Sequence, residues 1–188
     1  MTGIELIATL LIGHVLGDFA LQTDRIYQLK IRGGVGLFLH VILHVIVTGI
    51  LLRTGYIENW FLLTILFIVH YIIDWTKLQV KTDRNLPGFV LDQLAHVGSL
   101  FLLVWLFPST SIDIPREWLL PILIYGIIPC ITMMIWVWSN DMAGTSRDTM
   151  QTRTMRRTMK TVSQLTSLPL VIGLAVWVYY TYFPFLIQ

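Results

Sequence analysis

The chain has 188 residues, of which 55% are apolar and only 13% charged. That charged share is about half of what a soluble domain carries, which argues against a water-soluble globule and for helices that cross a membrane. The formal charge of +2 is small, and the single cysteine, Cys130, excludes an internal disulfide and a four-cysteine zinc site.

Apolar runs long enough to span a bilayer are predicted at about 4–22, 35–52, 59–76, 87–107, 118–138 and 164–187. The first carries Glu5 where a signal peptide has a basic segment, and no small-residue cleavage site follows, so it reads as a retained span. The expected fold is all-α: a polytopic membrane bundle of six transmembrane helices, in which helices 1–4 form two duplicated hairpins around a metal site. It reads as a single membrane domain, 1–188, with a four-helix metal-binding core at 1–107. Two accessory helices follow at 108–188, joined by a basic loop at 139–163.

Eleven of the thirteen basic residues fall in alternate connections, and only Arg53 and Arg116 fall in the others. The positive-inside rule makes the basic loops cytoplasmic and puts both termini outside. Residues 146–162 read as a basic surface helix resting on anionic lipid, in preference to nucleic acid. Membrane lipid is the expected partner and nucleic acid is not. The sequence does not address oligomeric state. Tryptophans and tyrosines gather near the span ends as an aromatic belt.

All five histidines lie in the first four spans, and each span carries a polar pair spaced i, i+4. The pairs are His14 and Asp18, His40 and His44, His70 and Asp74, and Asp92 and His96. That spacing puts both side chains of a pair on one helix face. Counted from the flanking basic residues Arg25, Arg32, Lys81 and Arg84, Asp18, His40, Asp74 and Asp92 share one depth. His14, His44, His70 and His96 lie about 6 Å deeper. His14, Asp18 and Arg25 recur as His70, Asp74 and Lys81 at a shift of 56 residues, and the second helices match at a shift of 52. Two hairpins so related would turn four faces to one centre.

A lone polar residue in a membrane helix is usually interhelical hydrogen-bond glue. Four matched pairs are not. Three buried carboxylates repel one another unless cations or protons compensate them, and Lys77 is the nearest basic residue in these spans. Two divalent ions with one bridging hydroxide would balance three carboxylates. The expected cofactor is therefore a divalent metal, two ions held by His14, Asp18, His40, His44, His70, Asp74, Asp92 and His96. Zinc is the first choice, with manganese or iron as alternatives.

The runs GHVLGDFALQTD, LHVILH, HYIIDWTK and LDQLAH resemble a bacterial integral-membrane family known as a domain of unknown function, number 3307. The resemblance implies a bacterial inner-membrane location and no particular activity. More loosely, the HxxxD helices are similar to the zinc-dependent phospholipase C and single-strand nuclease group and to membrane-bound metal-dependent hydrolases. That likeness reaches only His14 with Asp18 and His70 with Asp74. The N-terminal Trp ligand and the HxxxE pair of the soluble members are missing.

The function expected is metal-dependent hydrolysis of a phosphoester lipid or lipid-linked diphosphate from the cytoplasmic side. Asp18, Asp74, Asp92 and Lys77 are the candidate catalytic residues, one of the carboxylates serving as general base. Gln22, Lys77 and Arg84 are the candidate substrate-binding residues. The competing readings are a divalent metal-ion transporter, a di-iron oxidoreductase and a structural metal site. Transport needs a polar route to both sides, and the outer halves of the spans offer almost no ligands.

Overall fold

The computed structural model describes residues 3–52, 59–80, 84–108, 110 and 114–183. Arg53, Lys81 and residues 184–187 of the sixth expected span lie outside the described residues. The described chain is all-helical. Its elements are α1 (Gly3–Val15), a π-helical turn (Leu16–Ala20), α2 (Asp24–Ile31), α3 (Gly34–Leu52), α4 (Trp60–Gln79), α5 (Asn85–Leu106), α6 (Arg116–Asp141) and α7 (Met150–Tyr182). Six helical stretches among them are long and apolar enough to cross a membrane, the first being α1 continued through the π-turn.

Four helices close a ring: α1 packs on α3 and α5, α3 on α4, and α4 on α5. The pair α6 and α7 packs against the outside of this ring, along α1, the π-turn and α5. One half of the ring is filled by leucine, with Leu6, Leu10, Leu52, Leu62, Leu66, Leu100 and Leu103 in a common core. The other half holds the polar pairs. Close approach of α1 and α3 depends on two glycines four residues apart. A Cβ on Gly13 would meet Thr48 Oγ1, and one on Gly17 would fall on the imidazole of His44. Small residues at this spacing let helix backbones approach where lipid supplies no hydrophobic drive between them.

The structure departs from the sequence reading in two places. The connection after the first span contains a helix, α2, capped by Thr23, whose Oγ1 accepts a hydrogen bond from the Ile26 amide. The stretch 146–162 and the sixth span are not separate elements: α7 runs unbroken for 33 residues, capped by Thr149. No glycine interrupts it before Gly173, and Pro169 is accommodated inside it.

Asp141, at the end of α6, has a clear role. Its carboxylate accepts hydrogen bonds from the amides of Asn85 (2.8 Å) and Leu86 (2.7 Å) and from the Asn85 side chain. It therefore caps the start of α5, where amide groups lack intrahelical acceptors and the helix dipole favours negative charge.

Candidate metal centre

All eight residues of the four pairs are buried inside the ring, none more than 8% exposed. The five imidazoles lie close together. Those of His44 and His70 are 4.0 Å apart between centroids, those of His70 and His96 4.2 Å. His96 and His14 follow at 5.1 Å, and His14 and His44 close the circuit at 5.7 Å. His40 lies 4.8 Å from His44 and 5.6 Å from His70.

Two sets of ligand atoms come together. Asp18, His40, His44 and His70 offer four atoms within 4.8 Å of one another, and His70, Asp74 and His96 offer three. His14 and Asp92 belong to neither set. His14 Nε2 lies 3.2 Å from Gln93 Oε1, and Asp92 Oδ2 lies 2.6 Å from Lys77 Nζ.

The sets differ in what already satisfies them. Asp18 Oδ1 accepts from His44 Nε2 at 3.0 Å, and Asp18 Oδ2 from Gln93 Nε2 at 3.3 Å. In the second set the ligand atoms lack aligned hydrogen bonds. His70 Nε2, His96 Nε2 and both Asp74 oxygens have no hydrogen-bond partner. The Lys30 ammonium lies 2.6 Å from Asp74 Oδ1, an ion pair without hydrogen-bond alignment. His96 is oriented from behind: its Nδ1–H donates to the Asp92 carbonyl oxygen at 2.8 Å, which leaves Nε2 3.9 Å from Asp74 Oδ1. Leaving one buried polar group unpaired costs about 1–3 kcal/mol, so a cluster of them facing one another calls for a further partner, a bound cation among the candidates. The His and Asp donors fit a divalent metal ion.

Sequence reasoning missed two residues. Lys30, counted there as a loop charge, is 6% exposed. Its Nζ reaches Asp74 and lies 2.9 Å from His40 Nε2 and 3.9 Å from Asp18 Oδ1. Burial favours the neutral amine, but the carboxylates of Asp18 and Asp74 outweigh it and hold the ammonium above the ordinary lysine range. Lys30, not Lys77 alone, is thus the basic partner of the buried carboxylates. Gln93 bridges His14, Asp18 and Asp92, whose Oδ2 is 3.2 Å from its amide nitrogen. Of the expected substrate-binding residues, Lys77 joins the centre through Asp92 and is 37% exposed at its side chain. Gln22 is half-buried with its amide oxygen unpaired, and Arg84 is exposed just before α5.

The family described as "Protein of unknown function (DUF3307)" matches residues 6–120, well over half of the chain. The chain belongs to this family. The DUF3307 region runs from α1 into the start of α6, so it contains the whole ring, both lysines and Gln93. No curated protein and no solved structure matches the chain. The likeness to hydrolases with HxxxD helices therefore rests on residue spacing alone.

Proposed function

We propose that this DUF3307 protein is a multi-pass membrane metalloenzyme that hydrolyses a phosphoester lipid or lipid-linked diphosphate at the basic, cytoplasmic face of the bacterial inner membrane. The observation that carries the reading is the convergence of ligand atoms without hydrogen-bond partners from His70, Asp74 and His96. Three protein ligands leave a coordination position open, as catalytic zinc sites do. A divalent ion held there supplies Lewis acidity and lowers the pKa of bound water.

The residues around the ion have distinct tasks. Lys77, paired with Asp92 and partly exposed, is placed to meet a phosphoryl oxygen arriving from the aqueous side. Asp18 and Asp92 accept from Gln93 and are the candidates for proton acceptance. Gln22 and Arg84 flank the approach. Charge counting also bears on the number of ions. Three carboxylates with Lys30 and Lys77 leave one net negative charge. One divalent ion brings the centre to one positive charge, which suits an anionic phosphoester; a second would add two more. Lys30 thus supplies counter-charge that the sequence reading gave to a second ion.

The leucine core beyond the deeper histidines offers no polar route to the other side, which counts against transport. One alternative has its own observation. Burial of all eight residues suits a structural ion as well as a catalytic one.

The test is metal analysis of the detergent-purified protein, together with phosphate release from mixed micelles of phosphatidate or of a polyprenyl diphosphate. The expected result is about one redox-inert divalent ion per chain, lost with activity in His96→Ala. Bound metal without release from either lipid selects the structural role. An iron pair with a visible absorption band selects oxidation chemistry. Protein that holds no metal after equilibration with zinc, manganese or iron overturns the proposal.

A further inference from the structure

Lys30 has an unusual position for a loop lysine. In α2 the apolar residues Tyr27, Leu29 and Ile31 are exposed, while the charged Lys30 is the one that is buried. The chain is shaped to bring it in. Gly36 at the start of α3 lies against the Leu29 carbonyl so closely that a Cβ there would collide with it. Glycine at 36 therefore lets α2 press down on α3 with Lys30 pointing into the ring.

Inside the ring the ammonium stands where a metal ion would. It pairs with Asp74 Oδ1 at 2.6 Å. It also touches His40 Nε2 at 2.9 Å, and Asp18 Oδ1 lies 3.9 Å away. Both residues belong to the four-ligand set completed by His44 and His70. Two imidazole–carboxylate contacts frame it, His40 to Asp18 at 3.2 Å and His40 to Asp74 at 3.4 Å. His70 offers one ligand atom and serves the ion with Asp74 and His96, which leaves Asp18, His40 and His44 to a second ion, three donors that a solvent ligand would complete to a tetrahedral zinc site. An ammonium and a divalent ion cannot share those donors, because each needs the same lone pairs and both are positive.

We propose that Asp18, His40 and His44 form a second divalent-cation site whose place Lys30 holds with its own charge. This rests on the reading of the ring as a metal centre and deepens it: the wild-type protein takes one ion at His70, Asp74 and His96, and Lys30 stands in for the other. Removing the ammonium uncovers the second site.

The experiment compares wild-type protein with Lys30→Ala and Lys30→Gln, each purified in detergent, stripped with chelator and reloaded with cobalt(II). Bound metal is measured by elemental analysis and its coordination by visible absorption. The expected ratio is about one ion per wild-type chain and about two in either variant. The added ion should have a tetrahedral spectrum, and a further His44→Ala change should remove it. Two ions in the wild type, or one in both wild type and a folded variant, overturns the assignment of Lys30. No metal in any of the three proteins sinks the metal centre itself, so the two failures are distinguishable.

The wild type alone provides a second measurement should both variants fail to fold. Under this assignment excess zinc competes with the ammonium, so acetylation of Lys30 by an amine-reactive reagent should rise several-fold as zinc is added. Labelling of Lys30 that stays unchanged across the zinc series overturns the proposal.

Discussion

The two hairpins carry the same sequence pattern and are built differently. In the first, α1 gives way to the π-helical turn at Leu16–Ala20, which holds Asp18, and α3 supplies His40 and His44. In the second, α4 passes through His70 and Asp74 as regular helix. The first hairpin's polar groups are largely satisfied within the protein, Asp18 by His44 and Gln93 and His14 by Gln93. In the second hairpin His70 Nε2, His96 Nε2 and both Asp74 oxygens lack a hydrogen-bond partner, although Lys30 pairs with Asp74 and Lys77 with Asp92. A π-turn shifts side chains off the regular 3.6-residue repeat and is common at functional sites. The same spacing of polar residues thus recurs in both hairpins, and local geometry gives the two copies different partners.

The largest expected difference between the hairpins is in metal retention. Asp74→Ala should lower metal affinity by about 100-fold or more, because a ligand is lost and its two histidine partners are left facing each other. His14→Ala should leave affinity within a factor of about three, read by equilibrium dialysis. Equal losses in the two variants would break the comparison.

Gly17→Ala is next. The duplication places Gly17 opposite half-buried Ile73, so one hairpin demands a missing side chain where the other carries a large one. The added methyl in the first hairpin should cost about 1–3 kcal/mol through displacement of His44. Ile73→Ala should cost less, measured as the shift in thermal midpoint in the same detergent. Gln93→Leu tests the link from one hairpin to the other, since Gln93 on α5 holds His14 and Asp18 of the first. A loss of about 1–2 kcal/mol is expected, and an unchanged midpoint would show that the first hairpin is not held from across the ring.

The second helices of the hairpins also start differently, and here the smallest effect is expected. α3 follows Gly33 and starts at Gly34, with φ of 72° and 54°, a left-handed turn that other residues adopt only with strain. α5 is started instead by the Asp141 carboxylate. Asp141→Ala should cost about 1 kcal/mol and speed amide exchange at Asn85 and Leu86. No change in exchange at those two amides would remove Asp141 from the start of the helix.

Much of the ring was legible in the sequence because both helical spacing and membrane depth are arithmetic. An i, i+4 pair must share a face, and the distance to a basic loop orders residues by depth. That is why the four pairs were expected to face one centre, and all eight side chains are buried inside the ring. Lys30 was not legible. In a short stretch such as DRIYQLKI a lysine looks like any loop charge, and only the contact of Leu29 with Gly36 turns it inward. Gln93 carried a signal that went unused: it is a polar amide in mid-span beside Asp92, where lipid offers it no partner. The π-turn leaves no mark in composition. The fusion of 146–162 with the sixth span was obscured by the change from basic to apolar residues, which marks a change of surroundings and not the end of a helix.

The leucine half of the ring has an electrical consequence. Leu6, Leu10, Leu52, Leu62, Leu66, Leu100 and Leu103 form a common apolar core, whose side chains carry no group that could relay a proton. A centre dense in charge can then exchange ions and protons with one compartment while the bilayer stays insulating. Vesicles densely loaded with this protein should hold a pH gradient as long as empty ones do.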